Sequence, residues 1–197
     1  MKDIPNNFYN LDIYGKSSKR PYNPRGKMFG YHILGFGSGG KFDFTLPIQR
    51  GIFAFGNTGS KTNTKNLVGT NGVVASDASG AGTARNNLAA TTYGGNKAIF
   101  AFGTPASGNT AVSNLVSNTG VIGSDQSAVG DAKGAPCAVT FGITGQALFA
   151  YGVVSENVNT RQIVQNTGVM GSVLSGAGST RRSLGGSEYG TGLGIYA

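Results

Sequence analysis

The sequence predicts an all-β chain of antiparallel repeats about 48 residues long, propeller-blade-like, carried behind an extended N-terminal arm. Composition, an internal repeat and the shape of the recurring segments predict it. Of 197 residues, 34 are Gly and only 12% are charged, and the apolar residues lean toward Val, Ile, Phe and Tyr. That mixture favours strands and turns over helices. With 11 Phe, 8 Tyr and little charge, the chain lacks the composition of a disordered protein.

Three elements recur in order. The first is GIFAFG at 51–56, AIFAFG at 98–103, ALFAYG at 147–152 and a terminal GIYA at 194–197, with Phe53, Phe100, Phe149 and Tyr196 spaced 47, 49 and 47 apart. Each segment is short, aromatic and β-branched, so it reads as a strand. The second is NLVGTNGVVASD at 66–77, NLVSNTGVIGSD at 114–125 and QIVQNTGVMGSV at 162–173, with Gly72, Gly120 and Gly168 at intervals of 48. It reads as two apolar runs around a turn. The third is TARNNLAATTYGG at 83–95, DAKGAPCAVTFGI at 131–143 and STRRSLGGSEYGT at 179–191, where Tyr93, Phe141 and Tyr189 share the same interval. It reaches the next copy of the first element through YGGNK or FGITGQ, as hairpin partners do.

Each unit is then three or four antiparallel strands that cannot bury an apolar face alone and must stack on a neighbour. The repeat domain covers 50–197, in units of about 50–96, 97–145 and 146–192 with a terminal strand at 193–197. Three periods are fewer than the four to eight blades of a closed propeller, so a β-trefoil or a β-prism is the alternative architecture. An unclosed stack leaves the terminal strand to pair with the N-terminal region or with another subunit, which points to a homo-oligomer.

The order R-x-x-L-A-A-x-x-Y-G, K-A-I-F-A-F-G, N-L-V-S-N-T-G-V resembles the Kelch repeat over residues 50–197. The chain departs from the Kelch pattern in having one Gly after the apolar strand (Gly56, Gly103, Gly152) where that family has two, and in having no Trp. The wording KAIFAFG, NLVSNTGVIGSD, GTAR is similar to a variety of this repeat in structural proteins of tailed bacteriophages. The resemblance implies propeller-like blades in a virion component: a tail appendage, fibre, adaptor or decoration protein, made in the host cytoplasm and partnered by other virion proteins.

Residues 1–49 read as a basic, largely extended docking arm with a Gly-rich junction. Up to residue 40, six Lys or Arg face two Asp, half of the net charge of +8. The cluster KSSKRPYNPRGK supplies the candidate partner-binding residues Lys16, Lys19, Arg20, Arg25 and Lys27. Pro21 and Pro24 prevent a regular helix there and no nucleic-acid-binding motif surrounds it, so a protein partner is expected rather than nucleic acid. The N-terminal segment lacks the apolar region of a signal peptide, and no apolar run is long enough for a membrane span.

Gly35, Gly37, Gly40 and Lys41 match the spacing of nucleotide-binding loops. Phe42 stands where a P-loop needs Ser or Thr, and KFDFTLPIQ alternates as a strand where a helix is required. No cofactor site is expected.

Catalysis is not expected either. His32 is the single histidine, and the eight acids are scattered rather than paired. Asp77 and Asp125 are equivalent in the repeat, but Val173 stands in the third copy, so the reading is a turn cap formed through the local backbone. No metal-ligand cluster appears. Cys137, the one cysteine, reads as a buried core residue.

Arg85, Lys133 and Arg181 recur at 48-residue intervals. They either line one rim and bind an anionic surface or pair with local carbonyls at a strand start. Together these features predict a non-enzymatic structural component of a bacteriophage virion. The alternative is a module that binds a host-surface glycan or receptor.

Overall fold

The computed structural model describes residues 51–197. His32, the Gly35–Lys41 segment and the basic arm, with Lys16, Lys19, Arg20, Arg25 and Lys27, lie outside the described residues. The described chain is all-β, with eleven strands in four small antiparallel sheets and no helix. Strands β1 (Gly51–Asn57), β2 (Lys61–Val68) and β3 (Ala78–Ser79) form the first sheet, and β4 (Ala89–Tyr93), β5 (Lys97–Ala101) and β6 (Ser113–Val116) the second. The third contains β7 (Cys137–Phe141), β8 (Gln146–Ala150) and β9 (Arg161–Val164), and the fourth β10 (Gly186–Tyr189) and β11 (Leu193–Tyr196).

The expected hairpins form in the expected register. YGGNK closes β4 onto β5 with Tyr93 opposite Lys97, and FGITGQ closes β7 onto β8 with Phe141 opposite Gln146. The second, third and fourth sheets therefore each take their first strand from the end of one sequence repeat and the rest from the segment that follows it. The Asn-Thr-Gly turns, and the Thr-Asn-Gly turn of the first unit, behave alike. After β2, β6 and β9 the chain folds back to give single bridges between Val68 and Val74, Val116 and Ile122, and Val164 and Met170. Gly72, Gly120 and Gly168 supply the positive φ these turns require.

The terminal GIYA forms β11, the hairpin partner of β10, and among the described residues no strand pairs with its other edge. The third element is a strand only in its second half. Asn87, Ala135 and Ser183 adopt φ of 52°, 47° and 58°, which breaks the extended backbone ahead of β4, β7 and β10. These three are linked, the Ala135 N–H donating to the Asn87 carbonyl at 2.7 Å and the Ser183 N–H to the Ala135 carbonyl at 3.0 Å.

The core lies between sheets, as expected of units too thin to bury a face alone. Tyr93, Ile99, Ala101 and Phe102 of the second sheet region pack with Ala147, Phe149 and Val164 of the third. Phe100, Val116 and Ile122, on the opposite face of the second sheet, pack with Ile52, Ala54 and Phe55 of the first. Cys137 is buried in β7, and burial pushes its thiol up from the ordinary cysteine value. A cluster of Thr91, Thr92 and Thr140 hydroxyls joins β4 to β7 at 2.7–2.8 Å.

An aromatic–glycine step ends each apolar strand. Phe55, Phe102 and Tyr151 have φ of 66°, 64° and 61°, followed by Gly56, Gly103 and Gly152 at 117°, 102° and 101°. A left-handed conformation costs a non-glycine residue about 1–2 kcal/mol, so three equivalent instances require a compensating contact. The following Gly must also stay small. A Cβ on Gly103 would stand 2.6 Å from the Asn86 carbonyl oxygen and 2.9 Å from Leu88 Cβ. Gly108, also at positive φ, has open space around it. Gly103→Ala is therefore expected to destabilise the protein by roughly 2 kcal/mol more than Gly108→Ala, since backbone strain is shared and only the first adds overlap; urea unfolding of the two variants measures the difference.

Candidate functional site

The compensating contact is the repeated basic residue. The N–H groups of Gly56, Gly103 and Gly152 donate to the carbonyls of Arg85, Lys133 and Arg181 at 2.9, 2.8 and 2.9 Å. In each case the basic side chain lies over the aromatic ring that precedes that glycine. The Arg85 guanidinium is 4.3 Å from the Phe55 centroid, Lys133 Nζ 5.6 Å from that of Phe102, and the Arg181 guanidinium 5.0 Å from that of Tyr151. A cation over a ring face is attracted by the ring quadrupole, more strongly when water is excluded.

Arg85 is fully buried and its donors are well used. Nε donates to the Phe102 carbonyl at 2.8 Å, NH1 to the Thr83 carbonyl at 3.1 Å and NH2 to Asn114 Oδ1 at 2.6 Å. Asp125 stands 3.9 Å away. Burial lowers the Arg85 pKa, and the Asp125 charge opposes that shift. Asp125 is itself held by the Thr83 hydroxyl at 2.6 Å, the Thr83 N–H at 3.1 Å and the Asn114 amide at 2.9 Å. Burial pushes its carboxyl up, but those donors and the Arg85 charge outweigh it, so it lies below the usual carboxylate range.

The reading of Asp125 as a cap on its own turn is thus corrected. It ties its loop to Thr83, 42 residues earlier. A local pattern cannot show this, because the acceptor's main donors lie in the preceding unit. Asp77, its equivalent, accepts from Asn66 at 2.7 Å.

The equivalent network one period later changes as a group. Gln162 replaces Asn114, Val173 replaces Asp125 and Lys133 replaces Arg85. The Gln162 amide donates to the Val129 and Gly171 carbonyls, while Gln162 Oε1 and Thr160 Oγ1 are buried without a protein partner. Lys133 is buried and makes one long hydrogen bond, to the Thr160 carbonyl at 3.4 Å. Burial lowers its pKa, opposed by the Asp131 charge. Arg181 is exposed and reaches the Tyr151 hydroxyl at 3.4 Å.

Of the two readings of the basic register, burial therefore withdraws Arg85 and Lys133 from any anion-binding rim. Both donate to backbone carbonyls instead, Arg85 to one two residues away. The aromatic partners were missed by the sequence reading. Their signal is the residue before each of Gly56, Gly103 and Gly152, which is aromatic every time.

A shallow cavity of about 220 Å³ opens beside the linked Asn87, Ala135 and Ser183, bounded also by Thr104, Val153 and Arg182. Arg182 is the one charged side chain lining it. Its hydroxyls and guanidinium can hold a small anionic group, but it presents no acid–base pair. Among the described residues no group of three His, Cys, Asp or Glu is placed to hold a metal, and no helix is long and apolar enough to cross a membrane. No protein-family model matches the chain, and no curated protein sequence matches it significantly.

Two outcomes follow from the junction chemistry. Arg85→Met is expected to cost about 3 kcal/mol, because it leaves Asn114 Oδ1 and Asp125 without their cation. Lys133→Met is expected to be neutral or stabilising, since it removes a buried charge with one long hydrogen bond. Chemical denaturation at neutral pH separates the two. Because the Asp125 pKa is lowered on folding, its contribution is present above the unfolded carboxylate value and is lost as pH falls through the folded value. Asp125→Asn should flatten the acid limb of a melting-temperature profile, and an unchanged limb would remove Asp125 from the account.

Proposed function

We propose that this chain is a non-enzymatic structural component of a bacteriophage virion: a tail or capsid appendage, adaptor or decoration protein. Its sheets act as propeller-blade-like units that assemble, and its basic N-terminal arm attaches it to other virion proteins. The observation that carries the reading is the use of the repeated basic residues. Arg85 and Lys133 are buried between sheets with their donors turned to backbone carbonyls and leave no reactive group at the junction.

The resemblance to the Kelch repeat gains support from the aromatic–glycine step. Phe55-Gly56, Phe102-Gly103 and Tyr151-Gly152 place two successive residues at positive φ, the backbone that a Gly-Gly pair adopts without strain. The missing glycine is thus a change of side chain at a kept backbone shape. The resemblance to phage proteins supplies the particle.

A second reading, a module that binds a host-surface glycan or receptor, is favoured by the polar cavity at Arg182, which suits a carboxylate-bearing sugar. The protein is expected in purified particles in stoichiometric amount, detected by mass spectrometry and immunogold labelling. Joint replacement of Lys16, Lys19, Arg20, Arg25 and Lys27 by Ala is expected to leave the repeats folded and abolish incorporation. Absence from particles, with Arg182-dependent binding of isolated protein to polysaccharide, would select the second reading.

A further inference from the structure

The chain contains a template for its own association. Inside it, the second sheet has two unlike apolar faces. One carries Tyr93, Ile99 and Leu115 and the other Phe100, Val116 and Ile122, and the junctions on its two sides each set the first kind of face against the second. Like faces do not meet at either.

At the two ends one partner is missing among the described residues. Phe53, equivalent to Phe100 and Phe149, is 64% exposed where Phe149 is 0% exposed. Val74 on the same face is exposed, whereas its equivalent Ile122 is buried. At the other end Ile195 is 55% exposed where Ile99 is 0% exposed, and Tyr189 is exposed where Tyr93 is buried.

The turn glycines report the same vacancy independently. A Cβ on Gly120 would meet Leu67 at 2.5 Å and one on Gly168 would meet Tyr93 at 3.1 Å, each in the preceding sheet; around Gly72 nothing lies within 4 Å.

We propose that copies of this chain associate head to tail, the Tyr189–Ile195 face of one copy seating on the Phe53–Val74 face of the next, with the Gly72 turn against Tyr189. Each end lacks what the other end presents, so the partner is a second copy of the chain. A contact between unlike patches is heterologous and yields rings if the rotation closes and filaments if it does not. The proposal deepens the assembly part of the function above and rests on that part alone; absence of the protein from particles would leave it standing.

The test uses the full chain in sedimentation or light-scattering measurements across a concentration series. The wild type is expected to rise above monomer mass with concentration. Phe53→Asp and Ile195→Asp are each expected to weaken association at least about tenfold, because each buries an unpaired charge at the contact. Both positions are exposed in the single chain, so folding should be unaffected, and circular dichroism checks this. Mixed together, the two variants retain one intact face of each kind and are expected to form a 1:1 pair that grows no further.

Val74→Asp and Tyr189→Asp repeat the experiment if either first variant misfolds. A wild type that stays monomeric, as it would if residues 1–50 of the same chain cover Phe53, overturns the proposal. So does association indifferent to both substitutions, or a mixture that fails to pair.

Discussion

The described structure depends on the contact in which a left-handed aromatic–glycine step turns a ring under the basic residue that precedes the next sheet. The step is unfavourable by itself. It persists because one short segment gains two contacts at once, a backbone hydrogen bond from the Gly and a cation over the ring. The aromatic ring becomes part of the junction, packing edge-on against the ring of the neighbouring sheet at Phe55–Phe100, Phe102–Phe149 and Tyr151–Tyr196. Three junctions repeat this arrangement with different residues, Phe and Arg, Phe and Lys, Tyr and Arg.

Burial decides how much each junction adds beyond that. At Arg85 the guanidinium meets a carbonyl on either side, an amide oxygen and a carboxylate, so a buried charge is matched by buried acceptors. At Lys133 the ammonium has one distant carbonyl, and the neighbouring Gln162 Oε1 and Thr160 Oγ1 lack protein partners. The same position in the repeat thus ranges from a satisfied polar network to an under-satisfied one. A buried charge without such acceptors detracts from stability, whatever its place in a repeat. The concerted change of Arg85, Asn114 and Asp125 to Lys133, Gln162 and Val173 shows these positions behaving as a group: with Val173 in place of the carboxylate, the longer Gln reaches backbone carbonyls instead.

Sheets this small have no interior of their own. Their apolar residues are buried only by a neighbouring sheet, so exposure is set by position in the stack rather than by residue type. Phe53 and Phe149 have nearly the same sequence around them and opposite environments. That difference, invisible in the repeat alignment, distinguishes an internal junction from a surface able to associate.

The sequence by itself determined the all-β class, the 48-residue period, the hairpins at YGGNK and FGITGQ, the Asn-Thr-Gly turns and the burial of Cys137. These are local or periodic properties, written in the side-chain alternation and turn chemistry of a few adjacent residues. Only the tertiary structure decided that Asp125 binds Thr83 rather than its own turn and that Arg85 and Lys133 are buried over rings. Both depend on which segments, far apart along the chain, stacking brings together, and on how much water that stacking excludes. A repeat pattern shows that Arg85, Lys133 and Arg181 are equivalent; only the packing around each shows how differently the same charge is held.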